Sequence, residues 1–393
     1  MADLRFHWFL PTQGDGRGLV ETGDPPPPGV AGGLREASIP YLTRVATAAE
    51  DLGFEAALTP TGGWCDDAWV VTAMLSETSE RLKFLVAFRP GMVSPTLAAQ
   101  MAATFQWHSG GRLLLNVVTG GDADEQRAFG DFLPKDERYV RTGEFLRIVR
   151  RLWDGERVDF EGRHLRVEGA TIHRLPEPAP QLYFGGSSPA AGEVAAEHVD
   201  VYLTWGEPLA AVAEKVEWIR ALAAERGREV RFGIRLHTIS RDRAEDAWAR
   251  AEEMLVTVPT ALIAQIQAKL RKSESEGQRR MLDLHGGSAA NLEVSPNLWA
   301  GVGLGRGGAG TALVGSHEEV AERIAEYGEA GIDEFVLSGY PHLEELYWFG
   351  EGVLPLLERH GLWRPPSPDA GRPPGAASGR EGSAVPFAVG AQR

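Results

Sequence analysis

Two residues that could act on an anion lie close together in the segment Gly233-Ile234-Arg235-Leu236-His237. Successive side chains of a strand point to opposite faces, so Arg235 and His237 share one face and Leu236 lies on the other. An arginine and a histidine facing a barrel interior are costly unless they are paired or serve a function. Recognition of a negatively charged ligand is one interpretation, and a satisfied buried pair is the alternative.

Two further segments carry groups of the same kind. Arg306 lies in the glycine-rich stretch Gly303–Gly310, where the backbone can move and the guanidinium can bind an oxyanion through two hydrogen bonds. An exposed loop arginine without a function is the alternative. Tyr340 and His342 could donate hydrogen bonds or move a proton, although a histidine before a helix is also a common cap.

A possible phosphate site is the segment Gly185-Gly186-Ser187-Ser188-Pro189, which precedes a predicted helix. Its backbone amides, the helix dipole and the hydroxyls of Ser187 and Ser188 together could cradle a phosphate. The alternative is a helix N-cap in which the glycines only allow a tight turn.

Strands must position these residues, and eight short apolar runs, each followed by a loop and a helical pattern, predict them. The runs are Leu4–Leu10, Ala56–Thr59, Lys83–Phe88, Leu113–Val118, Leu182–Phe184, Val201–Thr204, Arg231–Thr238 and Glu334–Leu337. Eight such units predict an α/β fold, a (β/α)8 TIM barrel, because the loop after the first run lacks the glycine fingerprint of an open doubly wound sheet. The active site is then expected at the carboxyl ends of the strands, where Cys65, Asn116, Thr119 and Trp205 also fall.

One barrel domain is expected over residues 1–364, with two insertions. Residues 156–175 alternate polar and apolar positions around a turn, which predicts a β-hairpin. Residues 257–312 form a long insertion that predicts a lid. The segment 365–393 is dominated by Pro, Gly, Ala and Ser and is predicted to be a disordered tail.

Composition excludes several classes of function. The chain of 393 residues has a formal charge of −15, which disfavours binding to nucleic acid. Its start lacks a secretory pattern and no stretch is long and apolar enough to cross a membrane, so a cytoplasmic enzyme is expected. The single cysteine, Cys65, excludes an internal disulfide and a multi-cysteine metal site, and no metal centre is expected.

Taken together, the segments resemble the flavin-dependent alkanesulfonate monooxygenases of the bacterial-luciferase-like superfamily. The resemblance spans roughly residues 5–360. The similar blocks are Trp8–Thr12, Pro60–Gly62, Cys65 with Asp67–Trp69, Arg81–Ala87, Asn116–Gly120, Leu182–Ser188, Gly233–His237, Asn297–Gly315 and Ser338–Glu344.

The resemblance implies a two-component system. A separate NAD(P)H-dependent FMN reductase would supply reduced FMN (FMNH2), and the oxygenase would use it with O2 to release sulfite and an aldehyde from an alkanesulfonate, providing sulfur for growth. The family also implies a homotetramer or homodimer.

Carried over by position, the resemblance implies a role for each candidate residue. Arg235 and Arg306 would hold the sulfonate, with Arg306 arriving as the lid closes, and His237 would position substrate or shuttle a proton. The remaining expectations are that Tyr340 and His342 line the same pocket, that Cys65 lies near the flavin ring, that Ser187, Ser188 and Tyr139 bind the FMN phosphate, and that Asn116, Thr119 and Trp205 line the cofactor cleft.

One position departs from the family pattern. Gln13 stands where the family usually has histidine, and an amide cannot accept a proton as imidazole does. This departure keeps open a relative that acts on methanesulfonate or dimethylsulfone. A deazaflavin-dependent dehydrogenase and a non-catalytic flavin-binding protein are further alternatives; the two arginines argue against the dehydrogenase, since hydride transfer from a neutral alcohol needs no anion clamp.

Overall fold

The computed structural model describes residues 3–20, 35–256 and 258–366. Its centre is a closed barrel of parallel strands built from all eight predicted runs, so the predicted (β/α)8 fold is confirmed. The strands are β1 Arg5–Phe9, β2 Ala56–Thr59, β3 Lys83–Phe88, β4 Leu113–Val117, β5 Val158–Glu161, β6 Arg166–Ala170, β7 Gln181–Phe184, β8 Val201–Trp205, β9 Arg231–Arg241, β10 Glu293–Ser295, β11 Leu298–Trp299, β12 Ala312–Ser316 and β13 Glu334–Ser338. The barrel order is β1-β2-β3-β4-β7-β8-β9-β13, and β13 pairs with β1 to close it.

Helices cover the outside of the barrel. They are α1 Ile39–Asp51, α2 Ala68–Leu75, α3 Pro95–Ser109, α4 Ala123–Ala128, α5 Lys135–Trp153, α6 Pro189–His198, α7 Leu209–Ala224, α8 Ala244–Val256, α9 Thr260–Leu270, α10 Glu276–His285, α11 Val302–Gly305, α12 His317–Glu329, α13 His342–Gly352 and α14 Leu354–Arg359, with a 3-10 turn at Ser76–Thr78. A capping box formed by Ser316 and Glu319 begins α12, and Gly331 follows this helix with a φ of 99°.

Two segments lie outside the strand–helix repeat. Strands β5 and β6 form an antiparallel hairpin within the predicted range. The long insertion contains α9, α10, α11 and the short strands β10 and β11. Residues 1–2, 21–34 and 257, and residues 367–393 of the predicted tail, lie outside the described residues.

Strand β12 was not predicted, and it explains how the insertion reaches the barrel mouth. The first part of β9 pairs with β8, up to Trp205 opposite Arg235. β9 then continues beyond the end of β8, and β12 pairs with this extension, starting with Ala312 opposite His237. The loop that precedes β12 is therefore held directly above the end of β8.

The barrel interior is filled by inward-facing apolar side chains, among them Phe9, Leu58, Leu85 and Val336, all buried. Such filling makes the barrel a packed core, not a pore. Polar side chains are therefore confined to its two ends.

Charged groups close the amino-terminal end of the barrel. The Glu334 carboxylate has no exposed area and accepts hydrogen bonds from the Tyr183 hydroxyl at 2.7 Å and from Arg231, and the His7 Nε2 lies 3.0 Å from it. Burial opposes ionisation of Glu334, but these partners lower its pKa to about 2.

Candidate active site

A chain of hydrogen bonds joins β9 and β13 at the carboxyl end of the barrel. The Arg235 Nη2 donates to the Ser338 Oγ at 2.8 Å, and the Ser338 hydroxyl lies 2.7 Å from the His237 Nδ1. The His237 Nε2 lies 3.1 Å from the Ala309 carbonyl oxygen. Because a carbonyl only accepts, Nε2 carries the proton and Nδ1 accepts from Ser338.

His237 is held neutral by its surroundings. Burial, followed by the charges of Arg235 and Arg306, keeps its pKa well below the usual 6.5. Both ring nitrogens are engaged, so His237 ties the insertion, through Ala309, to the barrel. The predicted proximity of His237 to Arg235 is present, and its ring stacks on Tyr340 at 5.4 Å between centroids.

Arg235 is buried and makes no ion pair with a carboxylate among the described residues. Its other hydrogen bonds go to the carbonyl oxygens of Leu236 at 2.6 Å and Val336 at 3.4 Å, and its guanidinium lies 4.9 Å from the Phe9 ring centroid. Burial and the charge of Arg306 lower its pKa to about 9, which leaves it cationic at neutral pH. The mouth therefore contains a buried positive charge that no described carboxylate offsets.

Arg306 reaches the same place from the insertion. Its Nη1 donates to the Tyr340 hydroxyl, and its guanidinium lies 5.8 Å from the Tyr340 ring centroid. Close backbone approach shapes this loop: a Cβ on Gly310 would come within 2.9 Å of the Cα of Gly303. Glycine at these positions therefore allows the loop to fold over the mouth.

The insertion is fastened to the rest of the molecule by polar contacts. Arg280 pairs with the buried Glu207 after β8, and Glu274 lies 2.8 Å from the Nη2 of Arg138 on α5. Within the insertion, the Gly308 N–H donates to the Gln278 side chain at 2.9 Å. These contacts hold Arg306 near Tyr340 in this structure.

His342 meets an acidic partner that was not singled out in the sequence. The Asp15 carboxylate accepts the His342 backbone N–H at 2.9 and 3.0 Å, and the His342 Nδ1 lies 2.9 Å from it. The Tyr41 hydroxyl also donates to Asp15. Burial raises the pKa of Asp15, but His342 and Tyr41 outweigh this effect and the pKa lies below the usual 3.8.

The predicted phosphate-binding residues lie together at the end of β7. Ser188 caps α6 by accepting the Ala191 N–H at 3.3 Å, and its side chain interacts with the Tyr139 hydroxyl. Ser187 interacts with the Tyr202 hydroxyl, which also donates to the Gly186 carbonyl at 2.6 Å. A Cβ on Gly186 would approach the Ala191 Cβ to 2.6 Å, so glycine permits a tight turn into the helix.

The remaining predicted residues flank these two groups. Asn116 is on β4 and Trp205 ends β8, the two strands that adjoin β7, and the buried Thr119 Oγ1 has no hydrogen-bond partner among the described residues. Cys65 follows β2, with its Sγ 3.7 Å from the carbonyl oxygens of Pro60 and Gly62. Burial raises the pKa of the Cys65 thiol to about 11, so it is a thiol and not a thiolate at neutral pH.

Sequence reasoning missed Asp15, Tyr41 and Ser338 as site residues. Ser338 lies two positions before Tyr340, and Asp15 lies two positions after Gln13. A carboxylate between two glycines after the first strand was a usable signal for Asp15, but Tyr41, in the middle of the amphipathic pattern of α1, gave none.

The part of the chain that the structure describes contains neither a membrane-spanning helix nor a metal-binding cluster of side chains. No helix there has the length and apolarity to cross a bilayer. No group of three or more His, Cys, Asp or Glu side chains there could hold a metal ion.

The luciferase-like monooxygenase family model matches residues 4–334, and the chain belongs to this family. Members of the family use reduced flavin and O2. The fold is similar to that of riboflavin lyase (RcaE) with modified FMN and substrate riboflavin, with a TM-score of 0.77 and 21% identity over 92% of this chain and 93% of that one.

Two monooxygenase structures are similar to nearly the same extent. Long-chain alkane monooxygenase (LadA) has a TM-score of 0.73 and 20% identity, over 93% of each chain. EDTA monooxygenase (EmoA) from Chelativorans sp. BNC1 has a TM-score of 0.72 and 17% identity, over 93% of this chain and 96% of that one. At such identities the likeness concerns the fold.

Proposed function

We propose that this chain is the oxygenase of a two-component alkanesulfonate monooxygenase. The net reaction is R–CH2–SO3⁻ + FMNH2 + O2 → R–CHO + SO3²⁻ + FMN + H2O + H⁺. Arg235 carries the proposal, because its buried cation has no carboxylate partner among the described residues. A buried charge without a partner is costly, and an anionic substrate group is the ligand that offsets it.

Arg235 and Arg306 bind the sulfonate from two sides in this proposal. Arg235 is fixed on a barrel strand and gives a rigid contact, whereas Arg306 is on the insertion and arrives with it. The Tyr340 hydroxyl accepts from Arg306, and its ring stacks on His237, which neighbours Arg235 on β9. Water is excluded as the insertion covers the mouth, which strengthens both charge contacts.

The end of β7 fits the phosphate of FMN. The first N–H groups of a helix lack intrahelical partners and favour an anion, and Ser187, Ser188 and Tyr139 add hydroxyl donors there. The partnerless Thr119 Oγ1, with Asn116 and Trp205, is available to the rest of the cofactor. Reduced FMN, supplied by a separate NAD(P)H-dependent reductase, provides the electrons that activate O2.

Cys65 lies on the far side of the mouth, near β2, and its thiol contributes packing and a weak hydrogen bond beside the flavin. The raised pKa makes a nucleophilic role at neutral pH unfavourable.

A second candidate is a methanesulfonate or dimethylsulfone monooxygenase. Gln13 favours it, because its amide oxygen is buried without a hydrogen-bond partner among the described residues and it stands beside Asp15 at the mouth. The Gln13 amide oxygen can accept a hydrogen bond there, which changes the substrate groups that fit beside the reacting carbon.

Sulfite release from a panel of C1 to C10 alkanesulfonates tests the proposal, with reduced FMN supplied by an NADPH-coupled reductase in air. Sulfite from the longer chains is the expected result. Release from the C1 substrate alone, or turnover of dimethylsulfone without sulfite, would favour the second candidate. The Arg243→Ala variant serves as a matched control for Arg235→Ala, because Arg243 follows β9, is exposed and pairs with Asp246 at 2.9 Å.

A flavin-binding protein without catalysis predicts a different pattern. It would bind reduced FMN tightly, release no sulfite from any substrate and be insensitive to Arg235→Ala. A deazaflavin-dependent dehydrogenase would oxidise a neutral alcohol with the 5-deazaflavin F420 and would not need Arg235.

A further inference from the structure

The two histidines at the mouth are engaged differently. In His237 both ring nitrogens have partners, the Ser338 hydroxyl and the Ala309 carbonyl. In His342 the Nδ1 faces Asp15 at 2.9 Å, while the buried Nε2 has no partner among the described residues. Only His342 therefore has a ring nitrogen available to a bound molecule.

We infer that His342 is the proton-transfer group of this site and that Asp15 is the residue that positions it. That the proton comes from the substrate carbon rests on the proposed function. The tautomer of the His342 ring does not depend on it. A carboxylate can only accept, so the hydrogen on Nδ1 points to Asp15 and the neutral ring presents its lone pair at Nε2.

Asp15 is itself held rigidly. Its side chain has no exposed area, and its carboxylate accepts from the Tyr41 hydroxyl on α1 and from the His342 backbone N–H at the start of α13. Its backbone pairs with that of Arg35 through hydrogen bonds of 2.9 and 2.7 Å. The carboxylate thus joins the loop after β1 to two helices, and its charge stabilises the imidazolium when Nε2 takes a proton.

The His342 ring faces the predicted substrate side. Its centroid lies 5.2 Å from that of Tyr340, nearly perpendicular at 83°, and 5.7 Å from that of Phe9, the ring below Arg235. A sulfonate held by Arg235 and Arg306 would place its neighbouring carbon near these rings.

Desulfonation requires one proton to leave the substrate. The carbon that bears the sulfonate exchanges one C–H bond and the C–S bond for C=O. The C–H electron pair remains with carbon in a bond to the incoming oxygen atom, the C–S pair leaves with sulfite, and the proton passes to the His342 Nε2 before release to solvent. O2 and reduced FMN supply the oxygen atom and the remaining electrons, as in the net reaction above.

The tautomer of His342 can be measured without substrate. Nitrogen-15 NMR of ring-labelled wild-type protein, with the His342 signal assigned by its loss in His342→Gln, should show a protonated Nδ1 and an unprotonated Nε2 in the neutral ring. A neutral ring with its proton on Nε2 would overturn the inference, whatever reaction the protein catalyses.

Kinetics of Asp15 variants provide the second test. Asp15→Asn should lower kcat for sulfite release by about 100-fold, the usual contribution of a positioned acid or base, with KM and FMN affinity changed only a few fold. Asp15→Glu should recover part of the loss. Asp242→Asn is the matched control, because exposed Asp242 lies 3.5 Å from His317, away from the mouth.

The outcomes separate this inference from the proposed function. A raised KM with unchanged kcat in Asp15→Asn would overturn the positioning role. An Nδ1-protonated His342 in a protein that releases no sulfite would support the pair and reject the proposed reaction. If Asp15→Asn does not fold, the wild-type tautomer still decides.

Discussion

Arg231, at the start of strand β9, and Arg235, four residues further along the same face, lie at opposite ends of the barrel and have different surroundings. Arg231 pairs with the buried Glu334 and donates to Gln181 at 2.9 Å. Arg235 lies among carbonyl oxygens, a serine hydroxyl and an aromatic ring, with no described carboxylate. The same residue type, on one face of one strand, is matched at one end and unmatched at the other.

The presence or absence of a carboxylate partner distinguishes a structural buried charge from a functional one. Removing one member of a matched buried pair leaves the other uncompensated, so the matched end is required for stability. An unmatched buried cation costs stability and is retained for a ligand that the chain itself does not contain.

The largest expected effect comes from exchanging the two arginines for methionine. Arg235→Met should reduce kcat/KM for sulfite release by about 1000-fold, because it removes a preorganised cation from the reacting anion. Arg231→Met should retain activity but lower the free energy of unfolding by about 2 kcal/mol, since Glu334 loses a charged partner. Steady-state kinetics and denaturant unfolding of both variants check the contrast.

The opposite pattern of effects in the two variants would contradict the distinction between the two arginines. A larger loss of stability for Arg235→Met than for Arg231→Met would mean that the mouth is held together by Arg235 and not prepared for a ligand.

Arg306→Ala should have the next largest effect, because the guanidinium reaches the mouth from the insertion. We expect desulfonation to be lost while FMN affinity stays nearly unchanged. Arg279→Ala is the control, since exposed Arg279 pairs with Glu276 and Asp283, its neighbours on α10. Activity within a few fold of wild type would show that Arg306 does not bind the sulfonate.

The eight barrel strands were predictable because each is a short apolar run with a fixed relation to a following helix. β12 was not, because its apolar stretch is short and its partner is the extension of β9 beyond the barrel, a pairing fixed only by tertiary structure. The same limit explains why residues 301–311 could be placed in a lid but not over β8.

Within the site, the sequence predicted which residues are present but not which hydrogen-bond partners they have. Arg235 and His237 share a face by strand periodicity, but the Ser338 bridge between them depends on the register of β13 against β9, with Ser338 opposite His237. Likewise, the sequence indicated His342 as a site residue, but it did not predict the contact with Asp15, which is 327 positions away along the chain.

A smaller effect is expected at the phosphate end, where binding and not reaction is tested. Ser187→Ala and Ser188→Ala should each weaken FMN binding by about 10-fold, the loss of one hydrogen bond to a charged group. Ser188 is also an N-cap, so Ser94→Ala, which removes the equivalent cap before Pro95 on α3, is the matched control for helix stability. Unchanged FMN affinity in the double variant would reject the phosphate assignment.

The smallest effect concerns the pH dependence of stability, which should differ between the two ends. Burial and nearby cations depress the pKa of His237, so the unfolded chain binds a proton that the folded chain does not. Stability relative to His237→Asn should therefore fall as the pH drops below 6.5, by up to about 1.4 kcal/mol per pH unit.

At the other end, the depressed pKa of Glu334 gives a contribution that is complete above 4.5 and disappears as the pH falls towards about 2. The stability difference between wild type and Glu334→Gln should therefore be constant near neutral pH and narrow only below 4.5. Urea unfolding from pH 8 down to pH 2 should show the two losses in separate pH ranges if the two ends of the barrel are independent. Loss of both contributions over the same pH range would mean that the two ends of the barrel titrate as one charge network. The contrast between Arg231 and Arg235 would then not hold.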